Sequence, residues 1–243
     1  MNSKQIVVIL LAVIIAVLLY FSPKTGSGKK ADEPATDADF TAQFAEAKKK
    51  ASTEQGKIFE KLEEKLQQAE KDNSGQSWEA AANEFLKAAR YFQDESRAML
   101  YKGAMSGFEK ALALNPGNLS VKTSLGAAIV ESSSLLGTQP MKGISLIREV
   151  IAKDSLNIEA NLQLGLFSVT SRQFDKAIER FKRILRIDST HIDMYVYLGD
   201  TYMTMGEKQK AIDSYENYKT RVKDTLIIKD IDEYIKKLKQ QQN

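Results

Sequence analysis

The sequence predicts an all-α protein in which pairs of helices repeat along the chain behind an N-terminal apolar segment. Three observations support this prediction: a 34-residue repeat in the C-terminal half, an uninterrupted apolar run near the N-terminus, and a final segment with helical hydrophobic spacing. A period of this length is typical of stacked helix-turn-helix units. The repeat is defined by Leu164, Gly165, Ala177, Phe181 and Ile184, which recur as Leu198, Gly199, Ala211, Tyr215 and Tyr218.

Residues 1–22 are predicted to form a transmembrane helix that anchors the chain. The apolar run from Ile6 to Phe21 has 16 residues, which span about 24 Å as a helix, slightly less than the hydrocarbon core of about 30 Å. Lys4 and Lys24 can make up the difference because long basic side chains reach the interface. A cleaved secretory signal is one alternative, although no small-residue cleavage site follows the run. A buried helix of a soluble protein is the other.

Two arguments predict opposite orientations for this anchor. Lys24, Lys29 and Lys30 outnumber Lys4, and the positive-inside rule then favours repeats in the cytoplasm. A very short tail before a signal-like run, however, commonly stays inside while the long C-terminal part is exported. We therefore predict a single-pass protein with exported repeats, and keep the cytoplasmic orientation as the alternative.

Residues 23–37 are predicted to be a flexible linker, since they lack periodicity and are rich in Gly, Pro, Ser, Thr and charge. In residues 38–73, two apolar stripes beginning at Phe40 and Phe59 are out of register by one residue. A capping box from Ser52 could start a second helix there, so the segment is either a kinked long helix or a helical hairpin. It either caps the repeats or forms a coiled-coil dimer.

Residues 74–225 hold the predicted repeats. The first unit places Trp78 and Phe85 on its first helix, and Ala104, Phe108 and Ala111 on its second. This arrangement resembles the tetratricopeptide repeat, with Trp-x2-Leu-Gly-x2-Tyr in helix A and Ala-x3-Phe-x2-Ala with a closing Pro in helix B. Small residues let the paired helices approach, and aromatic residues fill the space beside the crossing. The predicted units are 74–118, 119–157, 158–191 and 192–225.

The resemblance extends from Trp78 to Thr225 and implies a right-handed α-solenoid. The unit 119–157 carries about five extra residues between its helices, around residues 132–140. Residues 226–243 are predicted to be a capping helix and tail, because a solenoid must cover its last apolar face. The capping helix is predicted from the helical spacing of Ile227, Ile231, Ile235 and Leu238.

The A helices of such an array line a concave groove, and the residues pointing into it are those that helix packing does not use. Their spacing from each Leu-Gly pair suggests a mildly apolar groove with acidic edges, suited to an amphipathic helix or an extended segment. The alternative is that Leu162, Leu166 and Val169 pack against the neighbouring unit or the terminal helix. The predicted groove residues are Thr123, Ala127, Val130, Glu159, Leu162, Leu166, Val169, Asp193, Val196, Tyr197, Asp200 and Met203.

The composition argues against catalysis, cofactors and nucleic acid. His191 is the only histidine, it lies in a turn between units, and the chain has no cysteine, so neither a metal site nor a nucleophilic triad is evident. The net charge is +3, with lysines interspersed among acids, whereas nucleic-acid binding requires basic charge concentrated on one face. We therefore predict no enzyme activity, no metal and no cofactor.

These observations predict a membrane-anchored scaffold or accessory chaperone that docks a protein or peptide segment in its groove. The order of anchor, helical spacer and repeats also looks like bacterial inner-membrane proteins of the cell envelope, with the repeats in the periplasm. The alternative is a structural homodimer that associates through residues 38–73 and fills its own groove.

Overall fold

Helices occupy most of the described chain, which in this computed structural model comprises residues 37–240. Within that range there are eleven helices, and the described residues fall into two compact units, 37–160 and 161–240. The predicted anchor, the linker up to residue 36 and the tail from residue 241 lie outside the described residues. Among residues 37–240, no helix is both long enough and apolar enough to span a bilayer.

The first compact unit, residues 37–160, begins with a helical hairpin rather than a kinked long helix. The backbone N–H of Gln55 donates to the Ser52 hydroxyl at 3.3 Å, and the backbone N–H of Ser52 donates to Gln55 Oε1 at 3.1 Å. This reciprocal capping box satisfies N–H groups that the start of a helix leaves unpaired. The helices of the first unit are α1 (Asp37–Lys50), α2 (Thr53–Asp72), α3 (Gly75–Tyr91), α4 (Ser96–Leu114), α5 (Leu119–Leu136) and α6 (Pro140–Lys153).

The apolar stripe of this hairpin is buried within the chain. Phe59 is fully buried, and its ring meets the rings of Phe44 and Phe92 edge-on at centroid distances of 5.3 and 5.4 Å. Leu62 is also buried, and α2 packs against α3. Because these side chains are already covered, the arrangement favours the capping interpretation of residues 38–73 over the coiled-coil dimer.

The remaining pairs of the first unit cross at small residues. A β-carbon added at Gly107 of α4 would lie 2.9 Å from the β-carbon of Ala82 on α3, so the two helices are in close contact there. Trp78 is buried beside this crossing, where its indole N–H donates to Asn73 Oδ1 at 3.2 Å and the Lys110 ammonium lies 4.4 Å from the ring centroid. The ring therefore fills the space that the small residues leave.

The extra residues of the unit 119–157 lengthen a helix instead of forming a long connection. We expected them between the helices, but α5 continues to Leu136 and only residues 137–139 join it to α6. Ser132 and Ser133 lie within the extension, and each hydroxyl donates to the carbonyl three residues earlier. Serine satisfied in this way is compatible with a helix interior.

The second compact unit, residues 161–240, begins within α7 and also contains α8 to α11. The last helix, α11, packs against α10, and the predicted apolar stripe from Ile227 to Leu238 is buried in the structure. The Lys219 ammonium also lies 2.8 Å from the Asp232 carboxylate across these two helices. The helices are α7 (Ile158–Thr170), α8 (Phe174–Ile187), α9 (Asp193–Thr204), α10 (Lys208–Lys219) and α11 (Thr225–Gln240).

Candidate functional site

The two repeats of the second unit orient their A helices, α7 and α9, in the same way. A β-carbon added at Gly165 would lie 2.6 Å from the Phe181 ring, and one added at Gly199 would lie 2.5 Å from the Tyr215 ring. Each aromatic ring of a B helix thus rests directly on the glycine of its A helix. This contact directs the residues on the other side of each A helix away from the pair.

The residues on that other side form two stripes of partly exposed side chains. In α7 the stripe is apolar, with Leu162, Leu166 and Val169 each half-buried. The stripe of α9 lies 34 residues later at the equivalent positions, and its half-buried members are Val196, Asp200 and Met203, with Asp193 exposed at the helix start. We call these residues the A-helix surface; it contains seven of the twelve predicted groove residues.

Two predicted groove residues of the first unit lie in its interior. Thr123 is fully buried and its hydroxyl donates to the Leu119 carbonyl at 2.9 Å, while Ala127 is 3% exposed. These side chains are covered, so neither can contact a ligand directly in this conformation. Val130 is half-buried and Glu159 is exposed; both belong to the first unit and are not part of the A-helix surface.

Tyr197 serves as a packing residue between two helices. Its ring stacks on Phe181 of α8, with centroids 5.3 Å apart and planes inclined by 23°. Stacked aromatic pairs of this kind stabilise the contact between elements. Tyr197 is half-buried, so it supports the A-helix surface through this stacking, and its contact with a ligand stays a prediction.

The distinctive group of the A-helix surface is the carboxylate of Asp200. Tyr215 donates its hydroxyl to Asp200 Oδ1 at 2.6 Å, and the Tyr215 ring meets that of Tyr234 on α11 edge-on at 5.4 Å. Burial raises the pKa of the Asp200 carboxyl, and the hydrogen bond from Tyr215 offsets part of this rise. Burial and the charge of Asp200 in turn raise the pKa of Tyr215 far above its usual range, so the phenol remains a donor.

Comparison of the two repeats shows how this pair arises. In the repeat 158–191, Leu166 and Phe181 occupy the positions that Asp200 and Tyr215 occupy in the repeat 192–225. An apolar pair is thus replaced by a carboxylate and a hydroxyl that satisfies it. The sequence carried this signal, because both members change together, but periodicity alone treats Tyr215 only as a large core residue.

We expect the Asp200→Asn substitution to raise the melting temperature, by about 2–4 °C at neutral pH, the shift that roughly 1 kcal/mol produces in a chain of this size. The amide oxygen can still accept the Tyr215 hydrogen bond, while the cost of burying a charge disappears. Burial raises the pKa of Asp200 in the folded protein above its value in the unfolded chain. Protonation of Asp200 therefore favours the folded state below the unfolded pKa, and this contribution to stability is lost as pH rises through the folded pKa.

The difference in melting temperature between Asp200→Asn and the parent chain should therefore grow as pH rises from about 4, the ordinary pKa of aspartate, and then level off. Thermal unfolding followed by circular dichroism across this range measures it. The control is Asp230→Asn, at an exposed position of α11, for which the difference should stay near zero. A lower melting temperature for Asp200→Asn at neutral pH would contradict the argument.

The described residues offer no alternative site of metal chemistry. Between residues 37 and 240, no three His, Asp or Glu side chains converge as candidate ligands. His191 Nε2 lies 3.5 Å from Asp188 Oδ2, three residues earlier in the same turn.

Comparison with known proteins agrees with this fold. Residues 192–219 match the family model of the tetratricopeptide repeat, which confirms the resemblance predicted from the sequence. The chain is also similar to the crystal structure of MamA protein, with 17% identity, 76% of this chain and 92% of that chain covered, and a TM-score of 0.50. It is similar as well to MamA 41-end from Desulfovibrio magneticus RS-1, with 16% identity, 75% of this chain and 95% of that chain covered, and a TM-score of 0.51. No curated protein matches the sequence significantly. Likeness at this identity establishes the all-α repeat fold and nothing about ligands.

Proposed function

We propose that this chain, in which residues 192–219 form a tetratricopeptide repeat, is a non-enzymatic docking protein whose A-helix surface binds a segment of a partner protein. The observation that carries the proposal is the Asp200 carboxylate, which is partly desolvated between the apolar side chains of Val196 and Met203. A charge in such a place lowers stability unless it is compensated. Its presence is best explained by a ligand that compensates it.

The compensation that the described residues supply is incomplete. Tyr215 donates one hydrogen bond to Oδ1, and no lysine or arginine of residues 37–240 forms an ion pair with Asp200. A carboxylate has about four acceptor positions. A lysine, an arginine or a backbone N–H of a partner would therefore find an acceptor that is already held in place.

The surroundings of Asp200 define the rest of the ligand. Val196 and Met203 flank it one helical turn away on either side, and the equivalent positions of α7 are all apolar. The unbranched methionine side chain adapts to varied apolar partners, whereas Val196 offers a fixed apolar contact. We therefore propose a ligand with apolar side chains at helical or extended spacing and one basic group opposite Asp200.

Photocrosslinking in cells tests this proposal, with the photoreactive residue placed at Met203. The expected result is a discrete crosslinked partner, identified by mass spectrometry, whose yield falls about tenfold on Asp200→Asn, the loss that about 1.4 kcal/mol of binding produces. The same substitution is expected to stabilise the fold, so unfolding cannot account for the loss. The matched control Asp230→Asn should leave the yield unchanged.

Two outcomes would contradict the proposal. One is a crosslink from Met203 that persists equally in Asp200→Asn and the parent chain, because Asp200 would then not contact the partner. The other is a crosslink only to a second copy of the chain, which would support the structural dimer instead.

We also propose that the apolar run from Ile6 to Phe21 holds the protein in the bacterial inner membrane, with the repeats in the periplasm. The proposal rests on the length of the run and on the short N-terminal tail before it. Protease added to spheroplasts is expected to cleave the repeats while leaving a cytoplasmic marker intact. Protection of the repeats until the membrane is lysed would support the cytoplasmic orientation.

A further inference from the structure

A second surface of the second unit lies between α8, α9 and α10, on residues that the A-helix surface does not use. A shallow cavity of about 430 Å³ opens there. Its floor includes Tyr195, Leu198 and Tyr202 of α9, and its walls carry Lys182 and Arg186 of α8 and Lys210 of α10. We call this the outer cavity.

One residue that lines the outer cavity, Ser214, is small where the preceding repeat carries a large residue. Arg180 of α8 lies 34 residues before Ser214 of α10, and its guanidinium donates to Asn161 Oδ1 at 2.8 Å. Ser214 instead turns its hydroxyl back to the Lys210 carbonyl at 2.8 Å. The space that the Arg180 side chain fills in the repeat 158–191 is therefore open in the repeat 192–225.

The charge around the outer cavity is predominantly positive. Lys182 and Arg186 are exposed and form no ion pair with any described residue, while Lys210 pairs with Glu207 at 2.5 Å. The Arg221 guanidinium adds a further positive charge 4.8 Å from the Tyr195 ring centroid. Asp213 is the one acidic residue that lines the cavity.

We propose that the outer cavity binds an acidic segment of a partner protein that inserts an aromatic or aliphatic side chain onto the tyrosine floor. The positive rim complements carboxylates, and the cavity volume accommodates one large side chain. Tyrosine rings provide apolar contact area at low conformational cost. This site is separate from the A-helix surface, whose proposed ligand is basic.

Titration of the full-length chain with a labelled peptide tests this proposal. The probe is a short peptide with glutamates on both sides of a central Leu-Phe pair, and fluorescence anisotropy reports its binding. We expect saturable binding that weakens as salt is added, because salt screens exposed charges over a Debye length of about 10 Å at 0.1 M. The same peptide with glutamine in place of glutamate should bind much more weakly, because it lacks the charge that the positive rim attracts.

Two variants separate this site from general electrostatic attraction. The charge reversal Lys182→Glu with Arg186→Glu should weaken binding about tenfold or more. The matched reversal Lys229→Glu with Lys237→Glu, at exposed positions of α11, changes the net charge equally and should have little effect. Ser214→Arg should also weaken binding although it adds a positive charge, because the arginine refills the cavity.

The outcomes that would overturn the proposal are distinct. Equal loss in both charge reversals would show that only net charge matters, and tighter binding by Ser214→Arg would show that the cavity is not used. Binding of a single-stranded thymidine oligonucleotide in place of the peptide would assign the site to nucleic acid. Circular dichroism of each variant establishes that the fold is retained before binding is compared.

Discussion

Replacing Phe59 with alanine is expected to lower the free energy of unfolding of the first unit by about 3–5 kcal/mol, the usual cost of removing a fully buried phenylalanine. The Phe59 side chain is wholly inaccessible to solvent and joins the rings of Phe44 and Phe92. Its loss leaves a cavity between three helices that cannot collapse without moving α2. Urea denaturation followed by the fluorescence of Trp78, the only tryptophan and a buried residue of this unit, measures the effect.

The control is Tyr91→Ala, which also removes a large aromatic ring but at a position that is 56% exposed; it should cost less than about 1 kcal/mol. The same pair of variants decides how residues 38–73 are used. If the hairpin caps the first unit, Phe59→Ala lowers stability without changing the sedimentation coefficient at any concentration. A sedimentation coefficient that falls while stability is retained would instead support dimerisation through this segment.

The sequence predicted the helices and their crossings because both depend on local information. A 34-residue period and small residues at fixed places suffice to position Gly199 under Tyr215 and Gly165 under Phe181, and the structure has both contacts. Periodicity also predicted the buried stripe of the last helix. These features repeat along the chain, so each unit provides a check on the others.

The proposed binding surface was harder to predict because it depends on which side chains are covered by others. Helical spacing identified the face to which Thr123 and Ala127 belong, but it could not show that both are buried. It likewise placed Tyr197 near the surface without revealing that its ring stacks on Phe181. The stacking of Tyr197 on Phe181, unlike the contacts of the repeated glycines, leaves no sign in the repeat pattern.

The outer cavity shows the same limit in a different form. One of its lining residues, Ser214, stands where the preceding repeat carries Arg180, and such a difference is readable once the repeats are aligned. Whether a smaller side chain leaves an open space, however, depends on how its neighbours repack. In this case Tyr195 and Tyr202 do not fill the space, so the cavity remains open at the surface.

The close packing of α5 on α6 should make Gly126 intolerant of substitution. A β-carbon at Gly126 would lie 2.7 Å from the carbonyl oxygen of Gly143 and 2.6 Å from Ile147 Cγ1. A rotamer change can relieve the second contact, but only separation of α5 and α6 can relieve the first. We expect Gly126→Ala to destabilise the first unit by about 2–3 kcal/mol, measured by urea denaturation followed by Trp78 fluorescence.

This loss is expected even though alanine favours the helix by about 1 kcal/mol over glycine, and a second glycine separates the two effects. A β-carbon added at Gly56 of α2 meets no atom within 4 Å, so Gly56→Ala should stabilise the unit by about 0.5–1 kcal/mol. If Gly126→Ala lowers the free energy of unfolding while Gly56→Ala raises it, the cost at Gly126 comes from contact between α5 and α6. Stabilisation by both variants would mean that α5 and α6 are farther apart than the structure has them, because the helical propensity of alanine would then be the only remaining effect.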